Sequence, residues 1–349
     1  MVHDITGSFD SSRGGVDFPI LWHIASMKKF LVSTILLILL VIGAGFLART
    51  SLGWNDGMNE ARSEIHATTL GGQLYVAGGI GLFRVLDSCE KLDLNSGGWS
   101  SCGKLPRALH HVAMAADDQH IYASGGYVAL PFEADQEAGL FRHDPATGTW
   151  TEISKLPHPI GQHAMTHFDG ALYLVGGQDD GKDLDTMWRY DIAADTWSVM
   201  QPMPMARHSH AIARSGPLLY ITGGRSAEFG TEMTQVDVYH LTEDRWESLP
   251  GMPIGRGGHG AFVDGNGLHI FGGESLSAGK VLADHHILNL ETRQWSSGEP
   301  LDQPRHGFAV SDMGMPNGIT VVGGGARPGM ETIYSVTGTA QTVAIKPEA

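Results

Sequence analysis

The 349-residue sequence predicts an all-β fold of six similar antiparallel sheets set radially, on three observations. A glycine pair closes a short apolar run six times, at Gly79, Gly126, Gly177, Gly224, Gly273 and Gly324, with spacings of 47, 51, 47, 49 and 51 residues. A tryptophan trails five of these pairs, at Trp99, Trp150, Trp197, Trp246 and Trp295, with spacings of 51, 47, 49 and 49. Between these markers lie runs of four to seven alternating or continuously apolar residues, with no sustained helical period beyond Phe30–Ala48. Two independent markers on one period define an internal repeat of about 50 residues.

Taken in chain order, residues 1–26 read as a non-native start or disordered extension, and translation is expected to begin at Met27. Residues 27–48 combine Met27-Lys28-Lys29 with the uncharged run Phe30–Ala48, which describes a signal peptide or, if uncleaved, a membrane anchor. The expected location is therefore periplasmic or extracellular, with Phe30–Ala48 as the only contact with the inner membrane. Residues 49–349 form the repeat domain, in units of approximately 62–106, 107–157, 158–204, 205–253, 254–304 and 305–340 plus 52–58. Charges before Arg49 cancel, so the exported part keeps the full net charge of −15, which excludes a general nucleic-acid binder. A monomer without cofactor or metal is expected.

Within a unit the third is the clearest: HAMTHF, ALYLVGG, MWRYDI and TWSVM read as four strands broken by Gly, Asp and Pro. Four short strands cannot bury both faces of one sheet, but sheets packed radially on their neighbours can. The sixth unit lacks its trailing Trp, while Trp54 stands eight residues before Arg62, the separation that also holds between Trp99 and Arg107. Residues 52–58 are thus expected to supply the missing outer strand and close the ring, with Thr342–Lys346 as the rival.

The glycine pair, a downstream Tyr-Asp (Tyr190-Asp191, drifting to Leu92-Asp93 and Tyr239-His240) and the trailing Trp resemble the kelch-repeat family over residues 54–340. The resemblance implies a six-bladed kelch β-propeller whose first strand in each blade borders a central channel. It also implies that the loops joining blades line the channel mouth, where kelch modules bind partners.

Counting back from each glycine pair gives His66, His111, His163, His210 and His259, at twelve, fourteen, thirteen, thirteen and thirteen residues from the first glycine. Phe308 breaks the series. These histidines are expected to be structural, each hydrogen-bonding the adjoining blade. A metal is not expected, because imidazoles spread around a channel converge poorly on one ion. Arg62, Arg107, Arg207, Arg256 and Arg305 precede them, with His110, His208 and His306 alongside. Two roles stay open for the arginines: blade tethers paired with acids, or a positive mouth that fits carboxylates or phosphates bidentately. The second makes these eight residues the candidate ligand-binding set, with an anionic small molecule or acidic peptide or protein as partner.

Glu274 and Lys280 share one loop and are the only catalytic candidates, as an acid–base pair at a sugar. By resemblance, exported kelch proteins acting on sialic acids use a glutamate and an arginine, so Lys280 departs from that pattern. Copper-radical chemistry on this scaffold needs a Cys–Tyr crosslink, whereas Cys89 and Cys102 flank one hairpin. If Asp93 pairs with Gly98, the paired numbers sum to 191, as do 89 and 102, so the cysteines face each other and a disulfide is expected. Three functions follow: a non-catalytic binding protein with an Arg/His mouth, a sugar epimerase or mutarotase, or a scaffold of a larger assembly.

Overall fold

The structure, a computed structural model, describes residues 57–130, 135–227, 231–311 and 318–344. The expected start at Met27, the leader Phe30–Ala48 and Trp54 lie outside the described residues. Among those described, no helix is long and apolar enough to cross a membrane.

The repeats fold as six blades around a ring. Blade 1 runs Ala67–Leu70, Gln73–Ala77, Ser88–Asp93 and Trp99–Lys104, each strand antiparallel to the one before. Blade 3 shows the expected order, with Ala164–Phe168, Ala171–Val175, Met187–Asp191 and Thr196–Val199. Blades 2, 4 and 5 repeat the four-stranded meander, and the inner strands start at Ala113, Ala211 and Gly260. In blade 6, Ala309–Val310, Ile319–Val322 and Ala340–Val343 pair in sequence. Ala340–Val343 therefore takes the third place, not the outermost. The outer place begins with Gly57, which bridges Thr339, while Met58 N–H donates to Gly338 C=O at 2.8 Å. An N-terminal segment thus stands at the sixth blade's outer edge, with residues 52–56 outside the described region.

The glycine pairs make the ring. The N–H of each second glycine donates to a carbonyl of the next blade: Gly79 to Leu109, Gly126 to Ile160, Gly177 to Arg207, Gly224 to Arg256, Gly273 to Arg305 and Gly324 to Arg62, at 2.8–3.0 Å. The last of these joins blade 6 to blade 1. Both glycines of every pair have positive φ, a conformation that costs a side-chain-bearing residue strain.

The other repeat markers build the outer half of each blade. Tyr190 pairs across strands with Trp197, and Tyr239 with Trp246, with ring centroids 4.8 Å apart in both. Leu92 and Leu288 face Trp99 and Trp295 at the same positions. Core clusters lie between blades, such as Ala113, Tyr122 and Leu140 of blade 2 against Leu172 and Tyr190 of blade 3. Burial of such side chains contributes about 25 cal/mol per Å2 of apolar surface and drives the blades together. Cys89 and Cys102 form a disulfide across the third and fourth strands of blade 1.

Candidate functional site

In each blade, turns joining strands one to two and three to four lie at one end. The loops joining strands two to three, and one blade to the next, gather at the other end, the loop face. The central channel encloses a cavity of about 530 Å3, bordered by His66, Asp117, His167, His210, Arg214 and His259 among others.

Beneath the loop face, main-chain hydrogen bonds link neighbouring blades around the channel. Gly307 N–H donates to Gly258 C=O, Gly258 to Ser209, and Ser209 to Gln162, at 2.8–3.1 Å. His111 N–H donates to Glu64 C=O at 3.0 Å, and Ile65 N–H to Gly307 C=O at 3.2 Å. Glu64, His111, Gln162, Ser209, Gly258 and Gly307 are therefore equivalent, and all six have positive φ.

This equivalence corrects the histidine register. The next residue in each blade is Ile65, Val112, His163, His210, His259 and Phe308, so the repeat position holds histidine in three blades only. His66 is one residue late, directly ahead of the Ala67–Val76 pair that opens the blade 1 ladder, and His111 one early. The three in-register imidazoles pack between blades. A Cβ on Gly125, Gly176 or Gly223 would stand 2.7–2.9 Å from Cε1 of His163, His210 or His259 of the next blade. His163 Nε2 lies 2.8 Å from Ser124 Oγ, and His259 Nε2 lies 2.8 Å from Thr222 Oγ1. His210 faces Val175 at the corresponding place, and both its ring nitrogens are buried without a hydrogen-bond partner. Burial pushes the His163 imidazole down to about 3 and those of His210 and His259 well below the ordinary value, so all three are neutral at pH 7.

The arginines expected at the mouth are turned inward. Arg62, Arg207 and Arg256 have no exposed surface, and Arg305 has 3%. Arg62 donates to the Gly78 and Ser88 carbonyls and, at 2.7 Å, to Glu90 Oε1. Arg207 pairs with the equally buried Asp237. Arg256 donates to Gly272 C=O at 2.8 Å with His286 Nδ1 3.1 Å away, and Arg305 to Gly323 C=O at 3.1 Å and Thr339 Oγ1 at 3.2 Å. Burial lowers the Arg256 guanidinium to about 10, so it stays charged. Arg62, Arg256 and Arg305 staple the entry of their blades to the end of the second strand and the start of the third, while Arg207 reaches only the third strand through Asp237 and keeps its Nε and Nη1 buried without a partner. Blade 2 places Leu109 and Phe141 where blade 4 has Arg207 and Asp237, and both lie in one core cluster. Arg107 is off this register, half exposed and paired with Glu137 at 2.8 Å.

The polar residues nearest the mouth are engaged with one another. His111 Nε2 lies 2.8 Å from Glu64 Oε2, and His306 Nδ1 lies 3.4 Å from both Glu64 and Glu274. Arg225 donates to Glu274 at 2.6 Å, and Gly329 N–H donates to its other oxygen at 2.8 Å. Burial alone would raise the Glu64 carboxyl, but His111, His306 and Arg225 hold it below the carboxylate range. His110 stacks on Tyr127 with Nε2 at 3.0 Å from Ala129 C=O, and His208 Nδ1 lies 2.7 Å from Asp183. Of the catalytic candidates, Glu274 is buried and doubly engaged, while Lys280 is exposed on the opposite strand of its hairpin, paired in register with Ser275. The structure does not bring them together. Among the described residues, no group of three His, Cys, Asp or Glu is arranged to hold a metal.

The loop face also exposes large apolar side chains. Of the large hydrophobic side chains standing exposed, Leu82, Phe83, Ile254, Leu276, Met330 and Tyr334 are on loop-face segments, and Val199 alone lies on an outer strand. Five of them form one arc over blades 5, 6 and 1. Leu276 Cδ2 lies 3.4 Å from where a Cβ of Gly329 would be, at the start of the 3-10 helix Gly329–Tyr334. At the other end of the arc, Phe83 N–H donates to Ile333 C=O at 3.2 Å. Sequence reasoning passed over this arc, although Leu82-Phe83 occupies a tight-turn position without any turn-forming residue.

Residues 65–252 and 162–336 match the KLHDC2/KLHL20/DRC7 Kelch-repeats domain. Kelch-like protein terF of Aspergillus terreus is 30% identical over 132 residues, 35% of this chain and 28% of that protein. Mouse Kelch-like protein 35 is 29% identical over 122 residues, 35% and 20% of the two chains, and Limulus polyphemus beta-scruin is 25% identical over 138 residues, 38% and 15%. The matched segments thus span under a third of these relatives. The solved structure of YjhT superposes with a TM-score of 0.68 at 16% identity, covering 81% of this chain and 95% of that one, a likeness of fold. With the family match running over most of the blades, and the glycine pairs, Tyr–Trp partners and ring closure all in place, this chain belongs to the kelch-repeat family.

Proposed function

We propose that the propeller is a protein-binding module that meets its partner with the loop face. Kelch-repeat propellers generally serve protein interaction, and the observation carrying the reading here is the concentration of exposed apolar side chains on this one face. Surfaces of this kind, ringed by polar residues, mark contact sites. The buried arginines are committed to their own blades, so any preference for an acidic partner would rest on the exposed Arg84, Lys280 and Arg327. Acid–base catalysis by Glu274 is disfavoured by the engagement of both its oxygens. The Cys89–Cys102 disulfide supports the expectation that the domain matures in an oxidising compartment.

The test is selection of binding peptides from a displayed random library, followed by hydrogen-exchange mapping. Protection is expected over the hairpins at 80–85 and 274–281 and the helix 329–334. Protection confined to the turns at the opposite end, or to the channel, would defeat the reading.

A further inference from the structure

We propose that the tip of the blade 1 hairpin, Leu82-Phe83, is the anchor of this contact face, and that it receives a partner segment carrying apolar side chains flanked by carboxylates. The inference rests on the protein-binding reading above and adds which residues grip and what they grip.

The argument starts from the turn. In blade 1, Ile80 pairs with Val85 and Gly81 with Arg84, which leaves Leu82 and Phe83 as the two-residue tip. In blade 3, Gln178 pairs with Asp183 and Asp179 with Lys182, which leaves Asp180 and Gly181. Asp-Gly is the sequence such a tip demands, because the turn needs positive φ and tolerates no bulk there. Both blade 3 tip residues have positive φ, 46° at Asp180 and 74° at Gly181, whereas in blade 1 only the second, Phe83, does, at 56°. A bulky residue in the left-handed region is a true outlier and carries strain.

That strain is not repaid by packing. Phe83 is 64% exposed and Leu82 56%. A strained residue that returns little to the fold points to a role in contact. The neighbouring helix and the blade 5 hairpin extend the apolar strip through Tyr334, Met330 and Leu276.

Charge selects the occupant. The chain carries −15, yet the same three elements present Arg84, Lys280 and Arg327, all exposed. Arg84 pairs with Glu60, Arg327 pairs with Glu331 at 3.3 Å, and Lys280 has no carboxylate partner among the described residues. Glu232 and Glu274, two further acids of this region, are buried: Glu232 accepts from Leu276 N–H at 2.6 Å and Ser277 Oγ–H at 2.8 Å, and Glu274 from Arg225 and Gly329 N–H. Cations around an apolar strip fit carboxylates around an apolar segment. An anionic bilayer would share that chemistry, but the acidic remainder of the protein repels it.

The experiment uses peptides selected from the random library and compares the full chain with Phe83→Gly. Glycine suits the turn, so thermal stability should hold or rise, while affinity falls roughly tenfold or more, as expected of an aromatic anchor. Raising NaCl should weaken binding, and selected sequences should combine Asp or Glu with apolar residues. A fall in stability on Phe83→Gly would overturn the assignment, since it would make Phe83 a packing residue. Unchanged affinity with Phe83→Gly but loss with Leu276→Asp/Met330→Asp would overturn the anchor and leave the face. Affinity unchanged in both would overturn the protein-binding reading as well. Phe83-dependent sedimentation with phosphatidylserine vesicles, or a Phe83-dependent dimer, would replace the proposed occupant.

Discussion

The His163 imidazole stands directly against Gly125 of the preceding blade: a Cβ on that glycine would come within 2.7 Å of Cε1. His163 sits in turn against Gly177 of its own blade, whose Cβ would meet His163 Cβ at 2.7 Å. One side chain is thus held between two glycines from adjacent pairs. Gly125→Ala combines a clash with a left-handed φ of 59° and should cost more than about 2 kcal/mol in chemical denaturation. Gly148→Ala, also at positive φ but with open space around it, should cost less.

The three junction imidazoles predict acid sensitivity. Their folded pKa values lie below the unfolded value near 6.5, so the unfolded state binds more protons once the pH falls under about 6.5. Their contribution to stability is complete above that pH and is lost as the pH falls from there towards the folded values, near 3 for His163. Unfolding monitored by tryptophan fluorescence between pH 7 and 4 should show this loss. Replacing His163 and His259 by Phe, the residue at position 308, should flatten the profile over that range.

His210 differs from its equivalents because no hydroxyl faces it. His210→Phe should raise stability at pH 7 by about 1 kcal/mol, since it removes two buried polar atoms that have no partner. The same change at His163 abandons Ser124 and should lower stability at pH 7. Equal effects at both sites would refute this distinction.

Blade 2 shows how blade 4 can be rebuilt. Arg207→Leu alone strands Asp237 in the core and should cost about 3–5 kcal/mol. Adding Asp237→Phe recreates the Leu109–Phe141 arrangement of blade 2 and should recover most of that loss, to be read as a double-mutant cycle.

Cys89 is fully buried and Cys102 nearly so, in the junction between blades 1 and 2. The Cys89→Ala/Cys102→Ala variant should lose about 2–4 kcal/mol. The blade should still form, because the paired strands and their core remain, and circular dichroism should keep its β signature.

Much of this was legible before any coordinates. The blade count, the strand order and the Cys89–Cys102 pairing follow from local demands: glycine where φ must be positive, tryptophan opposite tyrosine, and cysteines symmetric about a turn. The register of the mouth was present too, but read too loosely. The position thirteen residues before the first glycine is Ile65, Val112, His163, His210 and His259, whereas His66 and His111 stand at twelve and fourteen. Arg62, Arg207 and Arg256 stand sixteen before their glycines, but Arg107 and Arg305 both stand eighteen, so spacing alone does not separate the half-exposed Arg107 from the buried Arg305.

The sequence by itself determined the architecture, because each blade is specified by short-range patterns that repeat, and any one copy can be checked against the others. Only the tertiary structure decided the fate of the side chains at the loop face. A count of residues places Arg207 and Phe83 alike in loops near the mouth. Whether such a residue turns inward depends on what the next strand offers it. Asp237 gives Arg207 a buried counter-charge, while Phe83, at the tip of its two-residue turn, stays exposed. Those partners come from residues distant in sequence, which become neighbours only when the six sheets close.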